Sequence, residues 1–144
     1  MSVDTSERIW NRAADFSSPD EAEFRGDAAL HRVLVFHGSV MNGGLFEAVR
    51  SYAHDEEYPL EAVTEAFGLL GAENVVGVVE AAEREIEELR EEHDDEDEDD
   101  ESQAVWEEAE ERVNGRYPLD DTDLERLLEA ALIADPELFA PVAD

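Results

Sequence analysis

The chain has 144 residues, 42% of them hydrophobic, with 41 acidic against 10 basic side chains and a formal net charge of -31. That length suits one domain able to bury about two-thirds of its unfolded surface, and the apolar fraction is enough for a core, so the chain is expected to fold. The charge excludes nucleic acid and anionic membrane surfaces as ligands, because phosphate groups require basic side chains to bind them.

In chain order the periodicity is helical throughout, without a stretch of alternating residues that would mark a strand. Ile9, Ala13 and Phe16 mark a short amphipathic first helix. Ser18-Pro19-Asp20-Glu21 reads as a helix start, with Ser18 as cap, proline in the first turn and Glu21 completing a capping box. From Ala28 to Met41 the chain is nearly all apolar, with Leu30, Val33, Leu34, His37 and Met41 on one side, and it is expected to form the central helix. Asn42-Gly43-Gly44 stops that helix, and a short one resumes over 45–52. After a loop at 53–57, Pro59 opens a helix with Ala62, Val63, Ala66, Phe67 and Leu70 inward, ended by Gly71. A longer helix is predicted from about 72 to about 90, with Val75, Val79, Ala82, Ile86 and Leu89 as its inner stripe. Another follows over 102–113 through Val105, Trp106, Ala109 and Val113. Thr122 and Glu125 read as a second capping box, opening a helix with Leu124, Leu127, Leu128 and Ala131 inward. Asp135-Pro136 ends it, since the residue before proline resists helical geometry, and a last turn carries Leu138 and Phe139. The expected fold is all-α: residues 1–144 form a single compact domain of five to seven helices, with an acidic loop at 91–101 between two late helices.

The acidity is uneven. Residues 1–72 carry 13 acids and 5 arginines, whereas residues 73–144 carry 28 acids and 5 arginines. Residues 91–101 alone place ten carboxylates in eleven positions. All ten basic residues are arginine, and there is no cysteine, so disulfide and thiolate chemistry are excluded. The N-terminus lacks a signal-peptide pattern and no apolar run approaches the roughly 20 residues of a membrane span, so a cytoplasmic protein is expected.

Motifs for catalysis or metal binding are lacking. His31, His37, His54 and His93 are scattered without ligand spacing, and the acidic run has no glycine at the sixth position of a calcium loop. Ser39 lacks the first glycine of a nucleophile elbow, and His37, on an apolar helix face, reads as a packed core residue. Asn42-Gly43-Gly44 has neither the lysine nor the preceding strand of a phosphate loop. No metal, no cofactor and no catalytic residue are expected.

Three blocks occur in order: MNGGLFEAV at 41–49, EAFGLLGAENVVGVVEAA at 65–82 and DLERLLEAALIADPELFA at 123–140. Together they resemble a bacterial family named after a DNA-mimic protein, also carried as a domain of unknown function. Asn42, Gly43, Gly44, Gly71, Ala72, Pro136, Glu137 and Phe139 fill its motif positions, and the resemblance covers about 28–140. Leu45 departs from the family by standing where an aromatic is usual, with Phe46 one place on. Asn42, Gly43, Gly44 and Gly71 read as architecture: Gly43 as the left-handed helix closure, Gly44 and Gly71 as sharp exits, and Asn42 as a bond to its own turn. The resemblance implies an all-helical fold, often dimeric, whose acidic surface in at least part of the family occupies the DNA-binding face of a regulator.

Charge spacing sets how such imitation would work. B-DNA carries a charge about every 3.4 Å along each strand. Glu80, Glu83, Glu87 and Glu91 share one helix face, at one charge about every 5 Å. If extended, the run Asp94, Asp95, Glu96, Asp97, Glu98, Asp99, Asp100 and Glu101 would offer one about every 3.6 Å. Glu107, Glu108 and Glu111 on the next helix would supply a second row. These fifteen residues are the expected contacts to a basic DNA-binding protein, each carboxylate standing in for a phosphate oxygen. Three other readings stay open: an immunity-type inhibitor covering a basic toxin or nuclease, a merely solvated acidic loop, and a salt-adapted surface.

Overall fold

Ile9 and Ala13 lie one turn apart and are both buried, on the inner side of the first helix, α1 (Val3–Asp15). The computed structural model describes residues 3–53, 55–93 and 100–141. After α1 the expected capping box is present: Ser18 Oγ accepts from the Asp20 N–H, and Glu21 accepts from the Ser18 N–H. The helix it starts is a single 3-10 turn, Pro19–Glu21. The chain then runs extended through Ala22 and Phe24 to lay Gly26 against Leu138, where an added Cβ would meet the Leu138 carbonyl oxygen at 2.5 Å.

The central helix α2 (Arg25–Gly43) buries Ala29, Leu30, Val33, Phe36 and Val40. Met41 does not join this stripe and is 50% exposed. Met41 shares its side of the helix with the buried Leu30 and His37, but it lies in the last turn of α2, where the period alone does not supply a covering neighbour. Gly44 closes α2 at φ 91°, its N–H donating to Val40 O, while Gly43 remains helical. The left-handed position is therefore one residue later than the sequence suggested. Asn42 is exposed, and the amide that serves this turn is Asn114, whose Oδ1 accepts from the Phe46 N–H at 2.8 Å.

Beyond the turn lie α3 (Leu45–Tyr52), α4 (Leu60–Leu69) and α5 (Glu73–Glu92). Gly71, at φ 92°, turns the chain between the last two, and Ala72 N–H returns to Phe67 O at 2.8 Å. Then come α6 (Asp100–Asn114), α7 (Asp121–Ala134) and a 3-10 turn, Pro136–Leu138. The capping box of α7 sits two residues before the expected Thr122–Glu125 pair. Asp120 accepts from the Asp123 N–H, and Asp123 accepts from the Asp120 N–H. Two carboxylates at a helix start are also favoured by the backbone dipole.

Helix α2 is the hub, with α1, α3 and α4 packed around it; α5 lies on α3 and α4, α6 on α3, and α7 on α1. Phe36, Phe46 and Phe67 are fully buried, and Phe36 meets Phe67 edge to face at 5.9 Å. The buried Asp27 carboxylate ties the C-terminal segment to this core, accepting from Arg12 and from the Ala140 N–H, each at 2.8 Å. Seven α-helices and no strand occur among the described residues, which bears out the all-α expectation. No helix is long and apolar enough to cross a membrane.

Candidate partner-binding face

The five apolar residues of the predicted stripe on α5, Val75, Val79, Ala82, Ile86 and Leu89, are all buried. On α6 the inner side is Ser102, Ala109 and Val113, with Val105 and Trp106 half-buried. Burying these stripes turns the glutamates between them outward. Two sets of side-chain contacts join these helices. Near the connection, Trp106 Nε1 donates to His93 O at 3.2 Å and the His93 ring bonds Ser102 Oγ. From within α5, Glu85 takes Arg112 of the last turn of α6 on one oxygen and Arg116, just beyond that helix, on the other, the latter at 2.8 Å. Burial works to raise the Glu85 pKa, but the hydrogen bonds and charges of the two arginines outweigh it and hold the carboxyl below its ordinary value.

This hairpin changes the geometry of the acidic run. Glu91 and Glu92 belong to α5, and Asp100 and Glu101 open α6, so the ends of 91–101 are helical rather than part of an extended loop. The His93, Ser102 and Trp106 contacts hold the two ends together, and acids in the first turn of α6 favour its start. Asp94, Asp95, Glu96, Asp97, Glu98 and Asp99 lie outside the described residues.

Of the other expected contacts, Glu80, Glu87, Glu91, Asp100, Glu101, Glu107, Glu108 and Glu111 are exposed, and Glu83 is half-buried. Glu80 and Glu83 rim a cleft of about 350 Å³ floored by Ala53, Leu60 and Val79, with Glu61 opposite. Glu83 and Glu87 continue along a much smaller depression beside Ile86, Arg50 and Arg90. Helical geometry puts Glu85, which faces α6, about 120–160° around the axis from the Glu80, Glu83, Glu87 and Glu91 row. That row therefore turns away from α6 and follows the edge of α3 and α4. The structure brings Glu80 and Glu83 together on one cleft, links Glu83 to Glu87 along the next depression, and leaves Glu107 and Glu111 exposed on a different helix.

Sequence reasoning did not find the Glu85 clamp. Its signal was Arg112 and Arg116, four residues apart at and just beyond the end of a helix otherwise rich in glutamate. A second cationic position is Arg50, whose guanidinium lies 5.3 Å from the Trp106 ring and 5.7 Å from the Phe46 ring, with Glu47 beside it. His37 is buried, as expected, and has two side-chain partners: Tyr117 Oη on Nδ1 and Asp121 Oδ1 on Nε2, each at 2.8 Å. Burial, reinforced by the Asp121 charge, pushes the Tyr117 hydroxyl pKa up. No group of three or more metal-binding side chains is placed to hold an ion among the described residues.

From residue 73 to residue 114, the hairpin sequence carries 20 of the 41 carboxylates against three arginines. Helices α5 and α6 themselves carry 14 of these, and fold and surface together define a helical, strongly acidic protein. The chain belongs to the family described as DMP19-like protein, whose model matches residues 21–135. This is the DNA-mimic family that the Asn-Gly-Gly block and its two companions resemble. No curated protein and no solved structure matches the chain significantly.

Proposed function

We propose that this is a non-enzymatic cytoplasmic binding protein, a DNA mimic that covers the basic face of a DNA-binding regulator. The observation that carries the reading is the exposed carboxylate row Glu80, Glu87 and Glu91, with Glu83 at the cleft edge, on a helix pair that carries 14 of the chain's 41 acids. One charge about every 5 Å is sparser than a phosphate strand. The mimicry therefore works by matching the positions of arginine and lysine side chains rather than by copying a phosphate path. A field of this sign also steers a basic partner into encounter, and contact releases the counterions of both surfaces. Two copies paired through another face would lengthen the row, and sedimentation of the purified chain tests that pairing.

The test is capture of proteins from source lysate across a salt series, using the native chain, Glu80→Gln/Glu83→Gln/Glu87→Gln/Glu91→Gln, and an acidic peptide of equal charge. The reading expects one DNA-binding protein held by the native chain, lost by the variant and the peptide, and displaced by duplex DNA. Equal retention of many basic proteins by all three baits, stripped together by salt, would sink it. A captured nuclease with its active cleft covered would move the target to the toxin class.

A further inference from the structure

The Asn-Gly-Gly block lies outside the acidic hairpin, and its asparagine does not serve its own turn. Asn42 is exposed and makes no hydrogen bond to a described residue. It is the penultimate residue of α2, and the Gly43 that follows is exposed as well. A Cβ placed on Gly43 would have only Glu47 near it, at 3.9 Å, so that side of the backbone is open.

A second asparagine–glycine pair, Asn114-Gly115, stands at the end of α6. There the asparagine is half-buried, its Oδ1 accepts from the Phe46 N–H at 2.8 Å, and its side chain packs against Gly44. The next amide is held too, Gly115 N–H donating to Glu111 O at 3.2 Å. The two remaining asparagines, Asn11 and Asn74, are exposed on helices but precede Arg12 and Val75. A backbone nitrogen attacks the preceding side-chain amide most readily when the following residue is glycine and the amide is untethered. Of the four asparagines in the chain, Asn42 alone meets both conditions. The last helical turn holds the Gly43 nitrogen away from Asn42 Cγ, but helix ends open at low cost. Gly44, at φ 91°, brings no side chain to resist that opening.

We propose that Asn42 is a site of spontaneous deamidation. The Gly43 backbone nitrogen bonds to Asn42 Cγ, the Cγ–Nδ2 bond breaks, and the amide nitrogen takes up the Gly43 proton and leaves as ammonia. Water then opens the resulting cyclic imide at either carbonyl, giving aspartate, or isoaspartate with the backbone routed through Cγ. Either product sets a new carboxylate at the C-terminal end of α2, where the helix dipole disfavours it. Isoaspartate also lengthens the backbone just ahead of Gly44, the joint from which α3 departs.

The full-length protein is incubated at mildly alkaline pH, and peptide mass mapping follows amide-to-acid conversion at each asparagine over weeks. The Phe46 bond must break before Asn114 reacts, so Asn42 should convert about three- to tenfold faster than Asn114. Asn11 and Asn74 should remain amides over the same interval. In urea, where the fold is lost, the two asparagine–glycine pairs should react alike. Gly43→Ala suits the helical backbone and the open space beside it, and should bring conversion at Asn42 down to the level of Asn74 in a folded chain. The proposal is overturned if Asn114 converts as fast as Asn42 in the folded protein, if Asn42 converts no faster than Asn74, or if Gly43→Ala leaves its rate unchanged.

Discussion

Glu85→Gln separates a specific ion pair from the general repulsion of a chain carrying -31 charges. The substitution keeps size and shape but removes the charge that both arginines share. Glu85 is 21% exposed, Arg112 49% and Arg116 42%, so solvent screens the pair substantially. Charge-assisted bonds of this kind are worth about 1.5–3 kcal/mol when sheltered, and exposure on the arginine side reduces the sum here to about 1–2 kcal/mol. For a domain of this size that corresponds to a melting temperature lower by about 3–8 °C. Glu88→Gln is the control: Glu88 is exposed on the same helix, and its neutralisation should leave stability unchanged or raise it slightly. Urea denaturation followed by circular dichroism gives both values without adding salt.

The pH dependence has a definite sign. The folded pKa of Glu85 lies below its ordinary 4.5, so its contribution is complete above that value and is lost as pH falls through the lowered folded one. The gap between native chain and Glu85→Gln should therefore be constant from pH 7 to about pH 5 and close below that. A Glu85→Gln protein as stable as Glu88→Gln at pH 7 would refute the reasoning.

Three further outcomes are expected. Gly44→Ala should cost more than Gly71→Ala in urea titration. Both have φ near +90°, worth about 1–2 kcal/mol of strain, but a Cβ at Gly44 also meets the Asn114 side chain at 2.6 Å whereas Gly71 has open space. Tyr117→Phe should destabilise by about 1–3 kcal/mol, because it leaves a buried His37 ring nitrogen without its donor. Asp121→Asn should cost less, since the amide oxygen still accepts from Nε2, and thermal melts of the two variants compare them directly. Raising sodium chloride from low to molar concentration should raise the melting temperature of the native chain, because screening weakens repulsion among exposed carboxylates more than it weakens core packing.

Local pattern was sufficient wherever the governing interaction is local. The inner stripe of α5 was legible because a 3.6-residue period projects one set of side chains to one side whatever that side meets. The same holds for α3, for Gly71 as a terminator and for Leu124, Leu128 and Ala131 on α7. The Asn-Gly-Gly, Gly-Ala and Pro-Glu-x-Phe blocks pointed to the family because each one marks a turn. The concentration of acids on the second half of the chain needed only counting.

Choices between locally equivalent solutions belonged to tertiary structure. Gly43 and Gly44 can both adopt a left-handed conformation, and Asn114, packed against Gly44 from 70 residues away, is the contact that accompanies its selection. Asp120 and Thr122 can both cap a helix. The former does so where Tyr117 and Asp121 close on His37. An acidic run of 11 residues reads as a solvated loop, yet its ends are helical because His93, Ser102 and Trp106 meet across the hairpin. Spacing alone put Glu80, Glu83, Glu87 and Glu91 on one face, but spacing is blind to the neighbour. Only the assembled bundle set Glu85 against two arginines, placed Glu80 and Glu83 beside a cleft, and tethered Asn114 but not Asn42, because a residue's partners across space are fixed by how helices pack and not by their order in the chain.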